Sequence, residues 1–458
     1  MHTKLTAREK DGGYRVDLTD DIEKNTSRAE IAFQTDVKEA DPEAYYAAYD
    51  AAKEIHLESL LSKIDFDALK AIASKTRGGI HCRIPALDLD LKQAVMSQIG
   101  GQNCHLDLEF DDGITWIVRL RLCDPLLPPQ PVQDYVFLSE VATLEFLAET
   151  AVPSPKVYFY QLESPENPVG SSFILMEKMP GTALEWNDAT SKQRTKVMQQ
   201  LVDMFLELEK HPLKQTGSLV PGNVRDKVGG FAQPPLFETP GKTLGPFSKL
   251  DTAYTAMIKA QMNAISNREI SSLPVDNYLA FCWRLSALPA LISSETNEGP
   301  FYLKHYDDKG DHILVDDDYN ITGMIDWEFA SAEAKDFAFS SPCMMWPVGD
   351  YYNGLNNLSQ DETEFAQIFE FRGRKDISDI VLNGRRWQRF LFFVGGGVEE
   401  DQSTFESLFQ GLRKSFAADG EQSLSPYMDW KVEAINQYSK EDPIPRLLLT
   451  EDCSSDKK

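Results

Sequence analysis

The sequence predicts an α+β fold in which a β-rich region precedes a larger α-helical region. Alternating apolar residues on either side of a tight turn predict a β-hairpin over residues 106–122. Two short apolar runs, 313–315 and 321–325, flank a turn-rich stretch and predict a second hairpin. The half of the chain after this second hairpin shows helical spacing almost throughout.

The chain begins with a segment that lies outside the β-rich region. Residues 1 to about 30 are polar and predicted to be mobile, whereas apolar residues recur at helical spacing over 42–75. Such stripes usually form core, so we expect them to cover the β-rich region rather than bind a ligand. The predicted units are a helical extension with a mobile start at 1–80, a β-rich region at 81–178, a helical region at 179–450 and a disordered tail at 451–458.

Two arginines share one face of the second strand in the first hairpin. Arg119 and Arg121 alternate with apolar residues, so their side chains point to the opposite face. A guanidinium can hold phosphate oxygens through two parallel hydrogen bonds, and either arginine is a candidate for that role. Gly100 and Gly101 precede the hairpin and would let backbone N–H groups approach a phosphate, although a glycine pair is usually only a turn.

Helical patterns follow this hairpin. The proline-rich stretch 125–131 predicts a loop before a helix that Glu140 opens, and Ser191 is the predicted N-cap of the next helix. Residues 211–250 are rich in glycine and proline, which predicts a long connection of the kind that often forms a lid or substrate loop. Further helices are predicted at 251–265, 276–293, 359–372, 376–394 and 402–417.

Composition and charge limit the functional classes. A chain of 458 residues with 42% apolar content can bury a large core. Its 46 basic and 72 acidic residues give a net charge of −26, which argues against nucleic acid or an anionic membrane as the partner. The six cysteines are scattered, so no disulfide framework or zinc ribbon is indicated. No secretory signal and no apolar run of membrane-spanning length is evident, so the expected location is cytoplasmic.

The segment 303–330 carries the predicted chemistry. His305-x-Asp307 followed by Lys309 matches the catalytic-loop pattern of phosphotransfer enzymes. A hydroxyl that attacks the terminal phosphate of ATP needs a carboxylate to orient it and take its proton, and Asp307 is the candidate, with Lys309 beside it. The second hairpin would bring Asp326 next to this loop, where a carboxylate can hold the Mg²⁺ on the nucleotide phosphates.

These motifs resemble those of the aminoglycoside phosphotransferase and choline kinase superfamily, small-molecule kinases with a protein-kinase-like fold. His305-x-Asp307 and the Ile-Asp-Trp-Glu segment at 325–328 match its motifs, and their wording is similar to that of uncharacterised fungal members. The resemblance covers about residues 100–336. It implies a two-lobe fold with a small β-rich N-lobe and a larger α-helical C-lobe, and an enzyme that uses ATP and Mg²⁺ to phosphorylate a hydroxyl of a small molecule.

The resemblance also implies nucleotide-binding residues. Arg119 takes the place of the ATP-binding lysine, and Glu140 on the following helix is its expected partner, although an ordinary surface ion pair is the alternative. The segment 173–181 resembles the family's strand and hinge, where the backbone around Glu177 and Met179 meets adenine. His305 is expected to hold the backbone of the catalytic loop.

One position departs from the family pattern. His312 stands where the family has an asparagine that binds metal, and an imidazole nitrogen suits Mn²⁺ or Zn²⁺ better than Mg²⁺. Asp311 could supply the oxygen instead, or His312 could only support the loop. The second metal ligand therefore remains open between these two residues.

Three functions compete at this level. An ATP-dependent small-molecule kinase is favoured because the expected base, metal ligand, charge pair and hinge occur in the right order. A kinase-shaped binding or scaffold protein without turnover is the second, because of His312 and the incomplete glycine loop. A metal hydrolase is the third, and it lacks a second metal motif. The sequence does not name the phosphate acceptor.

Overall fold

The structure is a computed structural model, and it describes residues 4–10, 13–19, 51, 55, 57–88, 103–122, 130–222, 228–233, 237–239, 242–267, 273–392, 401–417, 424–440, 443–444 and 447–448. Near the start of the chain, the strands β1 (Lys4–Lys10) and β2 (Gly13–Thr19) form an antiparallel pair. The sequence predicts no such element there, because the stretch is polar and was expected to be mobile.

A five-stranded antiparallel sheet forms the N-lobe, in the spatial order β3-β4-β5-β7-β6. The predicted hairpin over 106–122 is confirmed, since β4 and β5 pair with Leu108 opposite Trp116. Arg119 and Arg121 lie side by side on one face of β5, as the alternation predicts. The strands are β3 (Cys82–Arg83), β4 (Asn103–Phe110), β5 (Thr115–Arg121), β6 (Val157–Gln161) and β7 (Phe173–Glu177).

The segment before the sheet covers its outer face. Residues 57–63 are helical and helix α1 follows at Phe66–Thr76, with Asp65 as its N-cap. Leu60 and Leu69 are fully buried in one hydrophobic cluster with residues of β4 and β5. Burial of these leucines agrees with the predicted covering role.

Helix α2 (Gln130–Leu147) packs under the sheet and carries Glu140. It begins earlier than predicted, so Gln130 and Pro131 belong to the helix rather than to the loop, and Glu140 lies in its second half. Proline is tolerated in a first helical turn because the N–H it lacks has no partner within the helix there. Twelve of its eighteen residues are buried, which places Glu140 in the interior between the lobes.

Helix α3 (Ser191–Glu209) begins one residue earlier than the predicted cap implies. Its N-cap is Thr190, whose hydroxyl accepts a hydrogen bond from the Gln193 N–H, while the Gln193 side chain accepts from the Thr190 N–H at 2.8 Å. The prediction of Ser191 as the cap is therefore wrong. Both residues are good caps, and only the reciprocal partner three positions later distinguishes them.

The C-lobe is mainly helical, as predicted. The predicted helix at 376–394 is two helices, because Gly384 interrupts it. Among the described residues, no helix has the length and apolar character that crossing a membrane requires. The helices are α4 (Leu250–Ser266), α5 (Pro274–Leu291), α6 (Ser294–Asn297), α7 (Lys335–Ala338), α8 (Val348–Tyr352), α9 (Gln360–Phe371), α10 (Lys375–Asn383), α11 (Arg385–Phe392), α12 (Gln402–Phe416) and α13 (Tyr427–Tyr438).

Short strands cross the C-lobe beneath the N-lobe. The second predicted hairpin is confirmed, since β12 and β13 pair antiparallel, and β8 adds to β12. Strands β11 and β14, which precede and follow this hairpin in the sequence, form a separate antiparallel pair. The strands are β8 (Thr182–Ala183), β9 (Phe237–Thr239), β10 (Lys242–Thr243), β11 (Phe301–Lys304), β12 (Ile313–Val315), β13 (Ile321–Met324) and β14 (Ser331–Ala334).

Part of the connection 211–250 is hydrogen-bonded to strand β14 and to the residue before it. The Thr216 hydroxyl donates to the Ala332 carbonyl at 2.7 Å, and the Ser218 hydroxyl donates to the Ala330 carbonyl at 2.9 Å. Its strands β9 and β10 form a small hairpin of their own. The described part of this connection is thus held against the segment that follows Asp326.

Replacing the observed cap should distinguish it from the predicted one. We expect Thr190→Ala to lower the free energy of unfolding by about 1 kcal/mol, because the Gln193 N–H loses its hydroxyl acceptor. Ser191→Ala is the matched control and should change stability little. Urea denaturation of the three proteins measures the difference, and an equal or larger loss for Ser191→Ala would contradict the assignment.

Candidate active site

The catalytic loop and the end of β13 are bonded to each other. The Ile325 N–H donates to the His312 carbonyl at 2.8 Å, and His305 Nε2 donates to the Ile325 carbonyl at 3.0 Å. His305 therefore joins the catalytic loop to the residue after β13. These bonds fix Asp326, the next residue, beside the loop that carries Asp307.

Asp307 is accessible from solvent and has a cationic neighbour. Its side chain is 47% exposed, and Lys309 Nζ lies 2.8 Å from its Oδ2 and 3.8 Å from Asp311 Oδ2. The hydrogen bond to Asp307 raises the pKa of Lys309, so this lysine stays protonated. A half-exposed carboxylate at a loop turn is open to a hydroxyl that approaches from solvent.

His312 lies behind the loop rather than on its open side. Only 5% of its surface is exposed, and its ring stacks on His305 at 4.1 Å between centroids. Trp327 covers the other histidine edge-on at 4.8 Å. Burial holds the pKa of both imidazoles below the ordinary value, most strongly for His312, so the stacked rings are neutral.

Asp308 fixes the loop from the inside, a role that the sequence did not predict. Its Oδ1 accepts from the Cys343 N–H at 2.9 Å and its Oδ2 accepts from Lys304 Nζ at 2.9 Å. Burial alone would raise the pKa of Asp308, but the charge of Lys304 and the bond from Cys343 outweigh it and lower this pKa. The doubled aspartate in the sequence was a visible signal, although it does not say which carboxylate is buried.

Arg119 lies at the centre of a buried cluster of charges. Its Nη1 donates to Glu140 on helix α2, so the two residues that the sequence pairs are in contact. Its Nη2 lies 3.0 Å from Glu328 Oε2 and 3.5 Å from Asp326 Oδ1. Arg119 thus brings the helix of the N-lobe and the acidic segment after β13 together.

Glu328 is the functional residue that the sequence analysis left without a role. It is 6% exposed and accepts hydrogen bonds from Arg119, Arg121 and Asn103 Nδ2, the last at 3.1 Å. Burial by itself would raise the pKa of Glu328, but the charges of the two arginines outweigh it and lower this pKa. An acidic residue inside the apolar run after Asp326 was the available signal.

Asp326 leaves the strand in an uncommon backbone conformation. Its φ is +58°, in the left-handed region, and Phe329 three residues later has φ +66°. Such strain is held where the surroundings fix it, often at functional sites. The turn exposes 62% of the Asp326 side chain, although the residues on both sides of it are anchored.

The exposed carboxylates of this site fit a Mg²⁺ ion whose remaining ligands are substrate phosphates. Among the described residues, no group of three or more His, Cys, Asp or Glu forms a metal cage. Mg²⁺ is usually held by one or two carboxylates together with substrate phosphates. Asp326 and Asp311 are both exposed, at 62% and 67%, and offer such oxygens.

The hinge segment runs from β7 to β8 beside the second hairpin. The Glu177 N–H donates to the Lys156 carbonyl at 2.9 Å, and Met179 packs directly on Gly323, where an added Cβ would lie 3.0 Å from Met179 Cβ. Gly181 follows at φ +99°, with the Val315 carbonyl in close approach. Glu177 and Met179 therefore lie on the short connection between the lobes, and Gly100 and Gly101 lie outside the described residues.

Comparison with known proteins gives two kinds of match. A protein of Aspergillus fumigatus, a subtelomeric hrmA-associated cluster protein, is 38% identical over 123 residues, which span 26% of this chain and only 23% of that protein. A candidate aminoglycoside phosphotransferase of Ralstonia eutropha matches in structure at 16% identity, with a TM-score of 0.44, over 77% of this chain and 99% of that chain. The Plasmodium vivax ethanolamine kinase matches at 12% identity and a TM-score of 0.43, over 74% and 79%.

The family comparison covers the site itself. The family model described as the phosphotransferase enzyme family matches residues 107–338, half of the chain. This range contains Arg119, Glu140, Asp307 and Asp326, and it ends within helix α7. On this match, the chain belongs to the phosphotransferase enzyme family.

Proposed function

We propose that the protein is an ATP- and Mg²⁺-dependent kinase that transfers the terminal phosphate of ATP to a hydroxyl of a small molecule. The contact of Arg119 with both Glu140 and Asp326 is the observation that carries this proposal. It joins a phosphate-binding cation to the metal-binding carboxylate, beside the loop of Asp307. Membership of the phosphotransferase enzyme family supports the reaction class.

The reaction needs a group that accepts the hydroxyl proton and a hydroxyl oxygen that is positioned to attack the phosphorus. The oxygen of the acceptor hydroxyl forms a bond to the terminal phosphorus, the bond from that phosphorus to the bridging oxygen of ADP breaks, and the hydroxyl proton passes to Asp307. Lys309 Nζ, 2.8 Å from Asp307 Oδ2, orients this carboxylate before the transfer. Mg²⁺, when bound by Asp326, supplies positive charge that offsets the negative charge on the phosphates.

We propose Asp311 rather than His312 as the second metal residue. His312 is 5% exposed and stacks on His305, so its ring supports the loop. Asp311 is 67% exposed and offers a hard oxygen ligand. This packing favours the loop-supporting role that the sequence left open for His312.

The acceptor is proposed to be a small molecule, and the location cytoplasmic. The net charge of −26 disfavours nucleic acid as the substrate. Cys82, Cys104 and Cys343 carry free thiols, as is usual in a reducing compartment. Nucleotide binding without turnover is the alternative function, because His312 replaces the family's asparagine. Turnover and the nucleotide-dependent Tm shift, measured together, separate the two functions.

Nucleotide binding should raise the melting temperature through Arg119. A ligand that binds only the folded state stabilises it by about 2.7 kcal/mol at ~100 times its Kd. We expect ATP with Mg²⁺ to raise the Tm of the parent and Arg119→Lys to reduce the rise, because lysine cannot form two parallel hydrogen bonds. Arg83→Lys, on the exposed strand β3, is the matched control. A parent without any shift at millimolar ATP would overturn both the kinase and the idle-kinase proposals.

The two key aspartates should fail in different ways. Asp307→Asn should lower turnover on an identified acceptor by about 10²- to 10⁴-fold while the nucleotide-dependent Tm shift persists, because only proton transfer is lost. Asp326→Asn should reduce both turnover and the Mg²⁺-dependent shift. Asp317→Asn, in the exposed turn of the second hairpin, should change neither. Activity of Asp307→Asn near the parental rate would show that Asp307 is not the base.

Metal preference should distinguish Asp311 from His312. If Asp311 holds the ion, Asp311→Asn should weaken Mg²⁺-dependent activity, whereas His312→Asn should leave the ratio of Mg²⁺- to Mn²⁺-supported rates unchanged. Rates are measured across a titration of each metal for both variants. A reversal of the metal preference in His312→Asn would instead assign the second ligand to the imidazole.

A further inference from the structure

A cavity of 360 Å³ lies beside the catalytic loop, on the C-lobe side. Tyr306 and Asp308, the two neighbours of Asp307 in the sequence, both line it. Phe231, from the connection 211–250, and Phe392, at the end of helix α11, lie on other parts of its wall. The cavity therefore lies next to the part of the catalytic loop that carries the proposed base, and residues of the connection 211–250 and of helix α11 complete its wall.

The described wall of this cavity exposes mainly apolar surface, much of it from aromatic side chains. A volume of 360 Å³ holds roughly a dozen water molecules at ~30 Å³ each, so a ligand of similar size fits. An apolar wall favours an apolar ligand body, and aromatic faces also attract a cation. The aromatic residues that line it are Phe231, Tyr254, Tyr306, Phe337, Trp346 and Phe392.

The charges on this wall do not cancel. Lys304 Nζ donates to Asp308 Oδ2 at 2.9 Å, so these two side chains neutralise each other. His305 is neutral, because burial holds its pKa below the ordinary value. The remaining ionisable acid is Glu333 on strand β14, and it leaves the cavity with an uncompensated negative charge when ionised.

Glu333 is buried among neutral partners. Its side chain is 7% exposed, and it accepts hydrogen bonds from the Tyr254 hydroxyl at 3.3 Å and the Ser331 hydroxyl at 2.6 Å. In the described part of the chain, no Lys or Arg forms an ion pair with it. Burial raises the pKa of Glu333 to about 7, although the hydrogen bonds from Ser331 and Tyr254 and the charge of Lys304 offset part of the rise.

From these observations we infer that the cavity binds the phosphate acceptor and that Glu333 recognises it. The acceptor is a compact, mainly apolar alcohol with a single protonated amine, rather than a polycationic aminosugar. This inference rests on the proposed phosphotransfer, because the cavity gains its role from the adjacent Asp307.

The charge balance limits the acceptor to one amine. One ammonium pairs with Glu333 and offsets the desolvation of both groups, whereas a second ammonium would lose its hydration without a second uncompensated carboxylate on the described wall. A sugar with many hydroxyls would need more hydrogen-bonding partners than the wall offers, because two of its polar side chains, Ser331 and Gln388, already bond to other residues of the protein. Tyr254 holds the carboxyl in place and thus acts as a positioning residue for Glu333.

Binding without nucleotide tests the acceptor chemistry separately from phosphotransfer. Isothermal titration calorimetry of the full chain is done with phenylalaninol, with phenylpropanol as the same alcohol lacking the amine, and with kanamycin as a polycationic aminosugar. We expect phenylalaninol to bind at least about tenfold more tightly than either of the other two, as is typical of a hydrogen bond to a charged group. Binding of kanamycin as tightly as phenylalaninol, or no binding of phenylalaninol, would overturn the inference.

Two conservative variants assign the recognition to this carboxyl. Glu333→Gln should remove most of the preference for phenylalaninol over phenylpropanol, because the amide keeps the shape and loses the charge. Tyr254→Phe should weaken phenylalaninol binding and leave phenylpropanol binding unchanged. Glu295→Gln, on the exposed helix α6, and Tyr302→Phe, a buried tyrosine outside the cavity wall, are the matched controls. A preference that survives Glu333→Gln would overturn the role of Glu333.

The nucleotide-dependent Tm shift, read on the same samples, separates the two proposals. Phenylalaninol binding that depends on Glu333 in a protein without any ATP shift would overturn the kinase proposal and keep the ligand chemistry of the cavity. A parent protein whose Tm rises with ATP but which binds phenylalaninol no more tightly than phenylpropanol would overturn the ligand chemistry of the cavity and keep the kinase proposal. Release of ADP with phenylalaninol, and none with kanamycin, would support both.

Discussion

The buried carboxylate of Glu328 is the constraint on which the site depends. It is reached by Arg119, Arg121 and Asn103 from two strands of the N-lobe, although it belongs to the segment after β13 in the C-lobe. A buried charge that loses its partners is strongly destabilising, so the lobes cannot separate at this point without exposing it to water or leaving it unpaired. The position of the N-lobe sheet relative to Asp326 follows from this contact.

The second constraint is the short backbone connection between the catalytic loop and the end of β13. Bonds from His305 and His312 to Ile325 hold the loop and the turn together, and the positive φ of Asp326 then directs its side chain outward between two anchored neighbours. On the buried side of the catalytic loop, Asp308 accepts hydrogen bonds from Lys304 and from the Cys343 N–H and so also holds the loop in place. The exposed carboxylates of Asp307 and Asp326 are thus carried by turns that hydrogen bonds of neighbouring residues hold in place.

The sequence predicted those features of the site that depend on the spacing of nearby residues. The period of two in the first hairpin placed Arg119 and Arg121 on one face, and the turn between two apolar runs placed Asp326 beside the catalytic loop. Glu328 could not be assigned in this way, because its contact with Arg119 joins residues 209 positions apart. The cap at Thr190 was missed because two suitable residues are adjacent, and the packing of His312 depends on ring contacts that no sequence spacing encodes. The cavity near Glu333 collects residues from segments scattered between 231 and 392, so its lining follows only from the completed fold.

The arrangement around Arg119 has a consequence for selectivity. This guanidinium contacts Glu140, Glu328 and Asp326. In the proposed kinase, a phosphate would therefore replace a carboxylate at Arg119 rather than fill an open cationic site, and its affinity would be the difference between two ionic contacts. Simple anions compete poorly in such an exchange, because they must displace a carboxylate that is already held in place. A ligand that delivers a metal ion to Asp326 at the same moment frees Arg119 from that carboxylate, so the exchange favours a metal-bound polyphosphate over a lone phosphate.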